Sequence, residues 1–271
     1  MPNFATDRVT GQVVAGGQVV AGAQVVSRIA LLLRLVGRDP NGSPLADIVR
    51  DSGLTRPTVH RLLSSLAAEG LLVLDPATHT WRYGPEIFVM GTVAAPRYRI
   101  EEFARPALQR LADASGESAF LSIRRGLETV CLMREEGSFP VRSFVLHEGV
   151  RFPLGVASAG LAILSALPDT EVEQILAAQA GLTEKWGAQN AAAGIRLNVQ
   201  ATRERGCALN PGLILEGSWG MGAAVFDHTG RPAWALSLTG IETRFRPDRQ
   251  ELLGGLLRGE AALLTARLAE V

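Results

Sequence analysis

Residues 55–70 read Thr-Arg-Pro-Thr-Val-His-Arg-Leu-Leu-Ser-Ser-Leu-Ala-Ala-Glu-Gly, and their spacing decides how the first part of the chain folds. Val59, Leu62, Leu63 and Leu66 recur at helical intervals and form one apolar stripe. Thr55 suits an N-cap, Pro57 falls in the first turn where its missing N–H breaks no intrahelical bond, and Gly70 suits a left-handed stop. At about 100° per residue, Pro57, Arg61 and Ser64 point away from the stripe, while Arg56 and Thr58 stand at the exposed N-terminal end and His60 lies in the same helix. Just upstream, residues 44–52 (PLADIVRDS) predict a shorter helix closed by Gly53. Two helices across a Gly-containing turn, the second presenting Arg, Thr and Ser outward, make a helix-turn-helix. An ordinary helical hairpin with a solvated face has the same periodicity, so the segment that follows matters. Residues 71–75 and 80–84 predict two strands around a turn at Asp75-Pro76. A hairpin placed there turns the motif into a winged helix-turn-helix, with Arg82 on its second strand and His79 at its tip within reach of phosphate or minor groove.

Working outward, residues 27–38 carry apolar side chains at 29, 32, 33 and 36, which predicts a further helix with Ser27 as its N-cap. Before it, residues 11–26 repeat QVVAG at a period of six, which is neither helix nor strand. Arg8 ahead of an apolar stretch raises the question of a signal peptide, but Gln12, Gln18 and Gln24 interrupt the run and Asp7 offsets the charge, so residues 1–24 are expected to be a flexible tail. Residues 25–84 form the DNA-binding domain in this reading, and residues 85–99 a linker helix that ends near Pro96. Residues 100–271 form a second domain. A helix from 101 to Gly116 precedes strands at 118–125 and 128–135, with a third strand expected at 142–147. Helices at 157–167 and 170–179, strands at 220–227 and 233–240, and a long helix from about 247 complete it. Antiparallel strands with segregated helices indicate an α+β fold.

Composition excludes several classes. With 271 residues, 47% of them hydrophobic, the chain buries a core without disulfide staples. Cys131 and Cys207 are too few for a disulfide framework, and no Cys/His spacing suggests zinc, so no metal or cofactor is expected. No apolar run is long enough for a membrane span, and a cytoplasmic protein is the expectation. Lysine plus arginine equals aspartate plus glutamate at 27 each, with a small basic excess over residues 1–99 that does not by itself argue for nucleic acid.

The segments Val26-Ser27-Arg28, Leu45-Ala46-Asp47-Ile48-Val49, Ser52-Gly53-Leu54, Thr58-Val59-His60-Arg61-Leu62-Leu63 and Tyr83-Gly84-Pro85 together resemble the IclR family of bacterial transcriptional regulators. The resemblance continues through Pro153–Gly160, Arg205–Asn210 and Ala235–Gly240. It implies a C-terminal GAF-like effector domain with a curved antiparallel sheet, and a linker helix that takes part in dimer contacts. It also implies effector contacts at Ser158, Ala159, Asn210, Gly220, Ser237 and Thr239, while the exposed side of the second helix and the wing give the expected DNA contacts at Arg56, Thr58, His60, Arg61, Ser64 and Arg82. The chain departs from the family pattern at Asn210, often acidic, at Gly220, often Cys, and at Gly155 and Leu161, often polar. Independently of the resemblance, Ser237 and Thr239 are two apart on a strand and so face the same way. A helix starting near Ser158 offers free N–H groups to a carboxylate, and Gly220 beside Trp219 leaves room and an aromatic wall.

Two functions from different classes compete. One is a ligand-responsive regulator that binds double-stranded operator DNA as a homodimer or dimer of dimers, senses a small organic acid, aromatic acids included, and controls catabolic genes. The other is a small-molecule hydrolase or transferase with an accessory winged-helix module. His60, His79, His147 and His228 are scattered, and the glycine-rich residues 217–222 match neither the G-x-S-x-G nor the phosphate-loop spacing. The sequence therefore favours a regulator without catalytic residues.

Overall fold

The computed structural model describes residues 23–39, 41–94, 100–141, 143, 145–179, 181 and 186–270. The chain divides into two compact units, Met1–Tyr98 and Arg99–Val271. Residues 1–22 of the expected tail and residues 95–99 of the expected linker lie outside the described residues.

The first unit runs α1 (Ala23–Val36), β1 (Ser43–Pro44), α2 (Leu45–Ser52), α3 (Arg56–Ala68), β2 (Leu72–Asp75), β3 (Thr80–Tyr83) and α4 (Pro85–Ala94). Leu32, Leu35 and Val36 of α1, Ile48 of α2, Val59, Leu63 and Leu66 of α3, and Leu72 and Trp81 of the hairpin form a single core. Each such aliphatic side chain contributes about 1.5–3 kcal/mol when fully buried, so three helices too short to stand alone hold one another in place. The strands form a small antiparallel sheet in the order β1-β3-β2. Ser43 Oγ donates to the Leu35 carbonyl at 3.1 Å and Tyr83 Oη to the Leu33 carbonyl at 3.0 Å, occupying acceptors at the end of α1. Gly53 turns the chain from α2 to α3 at φ +66°, a conformation cheap only for glycine or asparagine.

Three local expectations are corrected. α1 begins at Ala23, so Gln24 is already helical and Ser27 sits inside the helix instead of capping it. Pro44 is extended (φ −64°, ψ 146°) and pairs with Thr80, so it precedes α2 as the N-cap residue. Thr55 occupies the N-cap of α3, but its hydroxyl meets that of Thr58 at 2.9 Å and makes no cap bond to the backbone.

The second unit begins with α5 (Ile100–Ser115), β4 (Ser118–Arg125), β5 (Glu128–Glu135) and β6 (Arg151–Pro153). The helices α6 (Ser158–Ser165), α7 (Asp169–Ala178) and α8 (Ala192–Arg205) follow among the described residues. The unit closes with β7 (Ala208–Pro211), β8 (Ser218–Phe226), β9 (Pro232–Ile241) and α9 (Pro247–Ala269). Its six strands form one antiparallel sheet, ordered β6-β5-β4-β9-β8-β7. Strand alternation divides the side chains between two faces. Leu121, Met221, Leu236 and Leu238 pack with Leu108 and Leu111 of α5 and Leu253 and Leu257 of α9. On the other face Ala208 and Ala235 pack with Leu161, Ile163 and Leu164 of α6 and Ile195 and Val199 of α8.

The expected strand at 142–147 does not form among its described residues, and the short strand next to β5 is Arg151–Pro153 instead. No element was expected across residues 192–205, where α8 lies. Only Ile195, Val199 and Thr202 of that helix are buried, a stripe too narrow to stand out among its polar neighbours. A buried ion cluster ties the end of α5 to the segment that leads into α9. Glu117, 2% exposed, accepts from Arg244 at 2.7 Å and Arg249 at 3.0 Å, and Arg249 also donates to the Ser115 carbonyl.

Candidate functional site

In the first unit, burial of Val59, Leu63 and Leu66 fixes which face of α3 is free. Arg56, His60, Arg61 and Ser64 are exposed and Thr58 is half-buried. The helix contains no acidic residue, and among the described residues neither Arg56 nor Arg61 has an ion-pair partner. Arg38 and Arg50, by contrast, are bound to Asp51, and Arg50 also to Asp47. The two cations of α3 are thus left for something outside the unit. Arg82 differs from them. It lies on β3 and pairs with Asp75 on β2 at 3.1 Å, so its first role is to tie the two strands of the wing together. Asp75 also accepts from the N–H groups of Ala77 and Thr78, bonds that hold its carboxyl below the usual carboxylate range. At the wing tip His79 adopts φ +52°, the left-handed region, and its N–H closes the turn onto the Asp75 carbonyl at 2.9 Å.

In the second unit a cavity opens on the sheet face that carries α6. All six residues named as effector contacts line it: Ser158, Ala159, Asn210, Gly220, Ser237 and Thr239. Strand register brings them together, because Gly220 on β8 lies directly opposite Thr239 on β9 and Asn210 on β7 directly opposite Gly220. Two glycines let α6 approach the sheet. A Cβ on Gly222 would lie 2.8 Å from the Ser158 carbonyl, and one on Gly220 would lie 3.1 Å from Ser158 Oγ. The start of α6 therefore rests against β8, with its first-turn N–H groups beside the cavity.

The six residues are not chemically equal. Ser237 Oγ, fully buried, and Thr239 Oγ1 have no hydrogen-bond partner among the described residues. Buried polar atoms are nearly always paired, so these two hydroxyls are groups waiting for a partner. Asn210 is already occupied, donating from Nδ2 to the Val156 carbonyl at 2.7 Å and accepting at Oδ1 from the Leu213 N–H at 3.1 Å. It holds two wall segments in position. Leu161 is buried in the core behind α6, not in the cavity, and Gly155 is required by φ +94° and by Ile195, which a Cβ would meet at 2.9 Å.

Sequence reading missed the other half of the lining, which includes Ser122, Thr129, Cys131, Leu146 and Phe152. Ser122 and Cys131 become neighbours only through the β4–β5 register, which shifts between Leu121 and Ser122. The aromatic wall also comes largely from elsewhere than expected. Trp219 touches the cavity but packs with the core on the α5–α9 face, whereas Phe152 lines the cavity with the ring of Trp186 against it at 5.3 Å. Among the described residues, no Asp, Glu, Lys, Arg or His lines the cavity. Burial pushes the Cys131 thiol up to about 12 and the Cys207 thiol upward as well, so both stay protonated near neutral pH.

The two units match family models separately. Residues 25–76 match the IclR helix-turn-helix domain, and residues 92–264 match the bacterial transcriptional regulator IclR C-terminal domain. The glycerol operon regulatory protein of Streptomyces griseus is 30% identical over 224 residues, covering 82% of this chain and 86% of that protein. The HTH-type transcriptional regulator KipR of Bacillus subtilis is 27% identical, covering 82% and 88% respectively. The crystal structure of the IclR transcriptional regulator from Alicyclobacillus acidocaldarius superposes with a TM-score of 0.73 at 22% identity, covering 90% of this chain and 98% of that one. With a helix-turn-helix whose cations face outward, a separate α+β unit enclosing a cavity, and family matches across both, the chain belongs to the IclR family of bacterial transcriptional regulators.

Proposed function

We propose that this regulator binds a pseudo-palindromic operator through Arg56, Thr58, His60, Arg61 and Ser64 of α3, with Arg82 bracing the wing, and that a small organic acid in the cavity changes that binding. The observation that carries the effector reading is the pair of unpartnered hydroxyls of Ser237 and Thr239 beside the start of α6. A carboxylate fits there because hydroxyl and N–H donors surround it and the helix dipole favours an anion. We read the second unit as GAF-like, a sheet with helices on both faces and the ligand between sheet and helix. The reading includes no catalytic role. Burial keeps both thiols protonated, the reverse of an activated nucleophile.

The active form in this reading is a homodimer or a dimer of dimers acting on DNA in the cytoplasm, with catabolic genes as its targets. One recognition helix makes few base contacts, and two-fold pairing doubles them. α4 supports the pairing, since it has no buried residue and exposes Phe88, Val89, Met90 and Val93 around its circumference, apolar surface that a second copy would cover. Titration of the purified protein into labelled DNA from upstream of its own gene, with sedimentation of the complex, tests the reading. A dimer or tetramer on a two-fold site is expected. A monomer that binds one half-site tightly contradicts it.

A further inference from the structure

The polar groups of the cavity are unevenly engaged. At the β8–β9 end Ser237 and Thr239 have no partner. At the β5–β6 end Thr129 Oγ1 donates to the Phe152 carbonyl at 3.4 Å and Cys131 Sγ to the Met133 carbonyl at 3.7 Å. Beside the Ser122 hydroxyl, opposite Cys131, the remaining surface there is apolar, made by Leu146, Val150 and the ring of Phe152. One end of the cavity offers donors to an anion, and the other offers an uncharged wall.

We propose that the effector is a singly charged acid with an uncharged, ring-sized body, its carboxylate held at Ser158, Ser237 and Thr239 and its body selected by Phe152 and Cys131. The proposal rests on the reading of the cavity as the effector site. Cys131 lies opposite Ser122 on β4, and Ser122 opposite Ala235 on β9, so Cys131 and Ser237 stand two inter-strand spacings and two residues along the strand apart, roughly 12 Å. Once a carboxylate is hydrogen-bonded at Ser237, the remaining distance matches one six-membered ring. A two- or three-carbon acid leaves the Phe152 wall in contact with water and forgoes the burial of that apolar surface. A dicarboxylate places its second charge at the end where no cation among the described residues lines the cavity, and an unpaired buried charge is strongly disfavoured.

Calorimetric titration of the full-length protein with benzoate, cyclohexanecarboxylate, pyruvate and terephthalate tests this. The two ring monoacids are expected to bind about ten-fold or more tightly than pyruvate and terephthalate. Cys131→Leu, which fills the far end, should weaken the ring monoacids about ten-fold and leave pyruvate unchanged. Phe152→Leu, a milder change that guards against misfolding of the first variant, should act in the same direction. If pyruvate or terephthalate binds as tightly as benzoate, and Ser237→Ala with Thr239→Val abolishes that binding, the ring-acid inference falls while the effector site stands. If the Ser237/Thr239 double variant binds every acid as the wild type does, the effector site itself falls. Binding of none of the four at millimolar concentration overturns both.

Discussion

At the scale of single residues, charge is either paired inside the fold or left free, and the two conditions predict opposite behaviour. Arg56 and Arg61 are exposed and unpaired among the described residues, so truncating either to Ala should leave the thermal melt nearly unchanged. A bidentate Arg–guanine contact is worth about 1–3 kcal/mol, so at least one of the two variants should lose about ten-fold or more in operator affinity by fluorescence anisotropy. Unaltered affinity in both would mean that another face of α3 meets the DNA. Glu117 is the converse case, buried between Arg244 and Arg249. Glu117→Gln removes the charge that both guanidinium groups were folded against, and their partial exposure returns some of the loss through water. Urea denaturation should show about 2–3 kcal/mol less stability, and a change under about 1 kcal/mol would make the cluster incidental. The sequence revealed the first pair through its position off an apolar stripe. It could not reveal the second, because Glu117 and Arg249 are far apart in the chain and meet only when α5 and α9 cover the same sheet face.

At the scale of elements, the start of α6 is where packing meets the proposed effector site. Gly222 lets the Ser158 carbonyl lie almost on the strand, so Gly222→Ala must push the helix away by several tenths of an ångström. Effector affinity should fall about ten-fold while operator binding without effector persists, since a hydrogen bond to a charged group weakens steeply with misplacement. Calorimetry and anisotropy on the same preparation check both halves. Unchanged effector affinity would show that α6 does not hold the ligand. Elements with a strong period were legible from the sequence, such as α3, with Val59, Leu63 and Leu66 at helical spacing, and β9, with Leu236 and Leu238 alternating against Ser237 and Thr239. Residues 142–147 misled because Val145 and Leu146 are apolar for another reason, since they wall the cavity. The β8–β9 half of the site could be read because the family resemblance pointed to its members, and for Ser237 and Thr239 because they sit two apart on one strand. The β5–β6 half could not, because strand register and a bulge assemble it.

At the scale of the whole molecule, the account assigns DNA binding to one unit and ligand binding to the other, and each follows from what that unit leaves unsatisfied. The first buries its apolar stripe and leaves cations outside. The second buries two hydroxyls without a partner. Coupling between them is then a difference in DNA affinity with and without the ligand. The most direct measurement is operator binding by the Ser237→Ala, Thr239→Val double variant beside the wild type, each titrated with and without a saturating ring monoacid such as benzoate. The account predicts equal DNA affinity for the two proteins without acid, and a shift on adding acid that appears in the wild type and is lost in the variant. A variant that responds to the acid as fully as the wild type would contradict it.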